Sequence, residues 1–185
     1  MKHTKIIRIV FVVGMVLTAL AGAARTAQDK YTLKVPNGLA FSEFRGYESW
    51  QFVSLSLNQG HFAAILANPE MIKAYQQGFP GNGKPFPDGS KLAKIHWDPT
   101  KMQTFPSATV PGAQLNADFM LKDSKRFAAS GGWGWASFDY DAASGRFKPS
   151  TMADKPPQGH NATCGFTCHT IVKTRDYVFT SYASR

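Results

Sequence analysis

The sequence predicts an α+β fold, a single domain of mainly antiparallel β-sheet with a few short helices, on three observations. Short stretches alternate apolar and polar residues at the two-residue period of a half-buried strand. Only one or two stretches carry helix punctuation, too few for a helical bundle. Clusters of Gly, Pro and Asn recur between the periodic stretches, as turns require, and there is no internal repeat.

The first strand falls within 47–58, where Val53, Leu55 and Leu57 alternate with Ser54, Ser56 and Asn58. A short helix follows. Asn68 suits the N-cap, Pro69 the first helical position and Glu70 the positive end of the dipole, and Gly78 closes the helix after Gln77. Residues 78–89 read as a loop. The second strand, 91–97, sets Leu92, Lys94 and His96 on one face and Ala93, Ile95 and Trp97 on the other. A loop broken by Pro99, Pro106, Pro111 and Gly112 leads to a third strand around 118–122. Residues 124–129 allow one helical turn, which Gly131-Gly132 ends before a strand at 133–140. The polar stretch 141–161 contains Pro156-Pro157, and an apolar segment, 177–182, follows later.

The start of the chain reads as an export address. Lys2, Lys5 and Arg8 precede the apolar run 9–20, and Ala21-Gly22-Ala23 offers the small residues of a cleavage site. The run is short for a membrane-spanning helix, which needs about 20 residues. A cleaved leader at 1–23, a periplasmic or secreted product and no membrane attachment after cleavage are therefore expected. About 160 residues remain, enough for one core. Removing the three basic residues of the leader takes the formal charge from +9 to +6. The remaining cations, among them Lys91, Lys94, Lys122, Lys125 and Arg126, are dispersed rather than arranged as a basic stripe, which argues against nucleic-acid binding. A mildly basic surface suits an acidic redox partner.

The two cysteines of the chain, Cys164 and Cys168, are followed directly by His169. Covalent haem attachment uses two thiols that add to the porphyrin vinyl groups, and a histidine that binds the iron. The usual spacing is C-x-x-C-H, and here it is one residue longer. In a helix four residues advance about 400°, so both cysteines still share a face. His169 is turned about 100° from Cys168, and a permissive Gly165 is where the extra residue is expected to be absorbed. A Cys164–Cys168 disulfide, a zinc site that also uses His160, and a redox dithiol are the other chemistries this pattern admits.

The rest of the chain sharpens the reading. The segments Ala67-Asn68-Pro69, Phe86-Pro87-Asp88-Gly89, Lys122-Asp123-Ser124-Lys125-Arg126-Phe127, Gly131-Gly132-Trp133-Gly134-Trp135 and Asp176-Tyr177-Val178-Phe179-Thr180 resemble, in order, the cytochrome P460 family, which includes cytochrome c′-beta. So does a haem sequence just before the last of them. The similarity spans roughly residues 40 to 185, which leaves 24–40 as an N-terminal extension and 41–185 as the haem domain. The resemblance implies an antiparallel domain, often a homodimer, carrying one covalently attached haem c. Cys164 and Cys168 would be the thioethers and His169 the proximal ligand of five-coordinate iron. Enzymatic members oxidise hydroxylamine, whereas cytochrome c′-beta members bind nitric oxide and other small gases. The enzymatic members also carry a lysine-to-porphyrin cross-link, for which the comparable lysine is Lys94. The longer cysteine spacing departs from the family's commoner motif.

An electron-transfer cytochrome would instead close the sixth position with methionine or histidine, for which Met102, Met120, Met152, His61 and His96 are the candidates. With an open site, a carboxylate would help deprotonate a bound hydroxylamine. Glu43 and Glu48, among the clustered Phe41, Phe44, Phe52 and Phe62, are near carboxylates in the sequence, but no sequence feature sets either over iron.

Overall fold

A computed structural model describes residues 27–35, 39–150 and 165–184. They form a six-stranded antiparallel sheet in which every strand pairs with its sequence neighbours. The strands are β1 (Gln51–Asn58), β2 (His61–Ala67), β3 (Lys91–Met102), β4 (Phe105–Lys122), β5 (Trp133–Asp141) and β6 (Arg146–Pro149). The expected α+β class, mainly antiparallel with short helices, is the observed one. Among the described residues no helix is long and apolar enough to cross a membrane. The leader at 1–23 lies outside the described residues.

The α-helix α1 (Pro69–Gln76) forms where its punctuation predicts. Asn68 Oδ1 accepts from the Met71 amide at 3.2 Å and also from the Lys91 amide at 2.9 Å, so one side chain caps the helix and ties it to β3. Gly78, at φ 87°, ends the helix in a conformation other residues adopt with difficulty.

Several elements differ from expectation. From Phe62 onward β2 is an unbroken apolar run without polar alternation, and it lies directly before the helix signal. Beyond Trp97 the supposed loop is a continuation of β3 into β4. Among the described residues this outer ribbon has no further strands beside it, because β2 reaches only Trp97 and β5 only Asn116. Pro99 and Pro111, partners in register, therefore interrupt no central ladder. In β1 the register shifts between Phe52 and Ser54. That bulge inverts the expected facing: Leu55 and Leu57 are exposed, while Ser54 and Ser56 line a cavity.

Each sheet face has its own core. One contains Ala93, Ile95, Ala117, Phe119, Ala136 and Phe138, covered by Val35, Leu39, Phe41, Phe44 and Tyr47 from the N-terminal stretch. The other contains Ile65, Leu92, Met120, Trp133 and Trp135, covered by α1, Phe86, Tyr177 and Val178. At the sheet margins, the Gln28 side-chain amide donates to the Phe147 carbonyl and accepts from the Phe147 amide, both at 2.7 Å. The Ala183 amide donates to the Val53 carbonyl of β1 at 3.2 Å.

Candidate functional site

The second face is incompletely filled. A cavity of about 920 Å³ lies between it and the segment from Gly165 to Ser181, within the usual range of ligand sites. Strand pairing explains its graded lining. Leu92 pairs with Met120 and Met120 with Trp135, which gives an apolar row across three strands. One step along, Ile65, Lys94, Asp118 and Ser137 are successive register partners, which gives a row with two charges. All seven line the cavity, and Val178 and Phe179 face them from the C-terminal segment.

Residues 165–169 are helical and run into a 3₁₀ segment, Thr170–Arg175. This turn presents Cys168 and His169 to the cavity. Cys164 lies outside the described residues. Gly165 has no left-handed backbone here. It is required for another reason: a Cβ at this position would lie 2.9 Å from Trp135 Cδ1, so the turn rests directly on the indole.

The His169 ring is fixed on several sides. Its Nδ1 lies 2.5 Å from the Tyr177 carbonyl, a contact that assigns the proton to Nδ1 and leaves Nε2 with its lone pair. Phe179 meets the ring edge-on at 4.9 Å, and Trp135 is 5.7 Å away. Burial holds the imidazole below its ordinary pKa. The Lys94 charge acts in the same direction, while the Tyr177 carbonyl and Asp118 oppose it. A neutral, oriented imidazole is the form that ligates a metal.

The other predicted residues separate clearly. Lys94 faces the cavity together with Leu92, as the alternation of β3 requires. Met120 also lines it. His96 is one residue pair further along, with Nε2 3.1 Å from Asp118 Oδ2. His61 contacts Asp98 at 2.9 Å, and Met102 is exposed on the outer ribbon. Met152 and His160 lie outside the described residues. Glu43 pairs with Arg126 and Glu48 with Lys30, both away from the cavity lining.

Among the described residues, the carboxylate that does line it is Asp118, which the sequence reading did not single out. Its Oδ1 accepts from Ser137 Oγ at 2.5 Å and from Asn116 Nδ2 at 3.0 Å. An Asn-x-Asp pair on a strand with polar residues inside an apolar stretch was the available signal. Lys122 was also missed. It was counted among the dispersed surface cations, yet it is 5 % exposed.

The site fits a haem in its donor set and its wall. An apolar surface of Ile65, Leu92, Met120, Trp135 and Phe179 borders a neutral imidazole and a thiol on one turn. The family model described as Cytochrome P460 matches residues 44–180. No curated protein matches the chain.

Proposed function

The chain belongs to the cytochrome P460 family and is a haem-binding cytochrome, and on that premise we propose that it is an exported mono-haem c-type cytochrome for small nitrogen species. Cys164 and Cys168 would hold the haem through thioethers, and His169 would bind its iron through Nε2. The observation that carries this reading is His169 itself: Nδ1 committed to the Tyr177 carbonyl, beside Cys168, at the wall of the cavity. The leader at 1–23 supports export to the periplasm. When bound, the haem supplies an open coordination position and an electron sink.

The chain's own residues then set what the cavity favours. Asp118, hydrogen-bonded to Ser137 and Asn116, supports a base that takes a proton from hydroxylamine. Ile65, Leu92 and Phe179 supply the apolar surface that suits neutral nitric oxide. Lys94, on the same face, supports a cross-link to the porphyrin edge. The resemblance also carries a homodimer, and the exposed Leu55 and Leu57 of β1 are apolar side chains that support it. A soluble redox partner would collect the electrons.

The test is the absorption spectrum of the purified ferrous protein, followed by hydroxylamine turnover with an artificial electron acceptor. A high-spin spectrum with turnover is expected, and a low-spin spectrum would overturn the open site. In that event Met120, which lines the cavity wall, would be the candidate sixth ligand, and the chain would be an electron carrier. Mass spectrometry of tryptic haem peptides locates the attachments. Haem on the 164–168 peptide alone would remove Lys94 from the cross-link.

A further inference from the structure

Lys122 is a charged side chain where charge is costly, and its surroundings explain how it is tolerated. Nζ donates to Asp176 Oδ1 at 2.7 Å, to Asp176 Oδ2 at 2.9 Å and to the Gly131 carbonyl at 2.9 Å. It also lies 5.1 Å from the centre of the Trp133 ring. Asp176 is equally occupied, because its Oδ2 accepts from the Phe86 amide at 2.7 Å. The Lys122 backbone is held by Ser90 and Gly89, at 2.9 and 2.8 Å. Four of the segments that carry the family resemblance thus meet at one buried ion pair, far apart in sequence and outside the cavity lining.

The pair secures an unusual stretch of backbone. Asp176 and Tyr177 both have positive φ, 47° and 62°. Aspartate tolerates that region, but a bulky aromatic residue rarely adopts it unless its surroundings impose it. The surroundings here do so. Asp176 is clamped by Lys122, and the Tyr177 ring lies so close over Gly131 that a Cβ there would be 2.2 Å from Cε2. The carbonyl of this forced turn is the one that accepts from His169 Nδ1.

We propose that Lys122 is a positioning residue for His169, acting through the Asp176–Tyr177 turn. The buried pair aims the Tyr177 carbonyl at Nδ1, and so sets how strongly the imidazole donates to iron. A hydrogen bond to the outer nitrogen of a ligating histidine raises its basicity, so the strength of the metal bond depends on that carbonyl's position. This inference rests on the reading of His169 as the iron ligand.

The experiment uses the haem-loaded full chain, with resonance Raman spectroscopy of the ferrous protein and its reduction potential as readouts. The native protein should show an iron–histidine stretching band, which His169→Gly should abolish. Asparagine accepts positive φ as aspartate does, so Asp176→Asn keeps the turn sterically allowed while it weakens the clamp. The expected result is a band shifted to lower frequency and a potential shifted upward. Lys122→Met shows the same shifts, and Lys122→Arg partly restores the native band. Asp88→Asn serves as the control. It removes a carboxylate that holds Ser124 in the same corner without touching Asp176 or Tyr177. A lost charge alone moves the potential, so the band decides. An unshifted band in Asp176→Asn, or an equal shift in Asp88→Asn, would overturn the positioning role while His169 stays the ligand. A high-spin native protein without the band, or a band that survives in His169→Gly, would remove the His169 reading and this inference with it. Should Lys122→Met fail to fold, Asp176→Asn carries the test.

Discussion

The two faces of the sheet are made by the same strands and behave as opposites. Odd residues of β3 and β4, such as Ala93, Ile95, Ala117 and Phe119, enter a sealed aromatic core. Phe44 stacks on Phe119 with ring centres 4.3 Å apart, and Phe41 meets Phe138 at 4.6 Å. Their even neighbours, Leu92, Lys94, Asp118 and Met120, border a cavity instead. Side-chain shape and charge account for the difference. Rings interdigitate to crystal-like density, whereas a lysine and an aspartate in register cannot fill apolar space without losing hydration. One face is therefore filled throughout, and the other keeps room for a ligand beside its own core.

Three substitutions break or sharpen that contrast. Phe119→Ala, at a residue 1 % exposed, should have the largest effect, a loss of about 3–5 kcal/mol in denaturant unfolding. Its folded fraction should keep the native haem spectrum. Retained stability would show that the aromatic face is not the main source of it. Asp118→Asn should act in the opposite sense. Unfolding should change little, while hydroxylamine turnover falls about 10²-fold, or about 2.7 kcal/mol of barrier. Unchanged turnover would remove Asp118 as the base. Gly165→Val crosses the boundary between the two kinds of effect. Overpacking against Trp135 should cost about 1–3 kcal/mol, and haem content per chain, read by pyridine haemochrome assay, should fall. Full loading would show that the turn relaxes away from the indole.

Much of this contrast was legible in the sequence, where the information was local. The alternation of 91–97 gives the facing of Lys94 correctly, and the Asn68, Pro69 and Gly78 punctuation locates α1. The turn that presents Cys168 and His169 to the cavity is visible as adjacent residue types. What was not legible depended on pairing across distance. Asp118 belongs to the site because it is in register with Lys94 and Ser137, and no spacing from His169 reveals that. A lysine that is surface-exposed by default, Lys122, is buried because Asp176, 54 residues later, meets it. The bulge in β1 reverses which side chains are exposed without altering the period that predicted the strand. Gly165 was expected for backbone freedom, and its requirement is instead the closeness of an indole from β5.

The contact between Gln28 and Phe147 has a consequence for how the protein behaves among its own copies. An open sheet ends in rows of unused amides and carbonyls, which recruit strands from other molecules. At β6 the Gln28 side chain presents one carbonyl and one N–H group to a single residue, as a neighbouring peptide would. At β1 the Ala183 amide occupies the Val53 carbonyl. Segments before and after the sheet thus cap its two margins with isolated mimics of a strand. Recruitment of a seventh strand must first displace them, and this favours a sheet that stays discrete over one that propagates into aggregates.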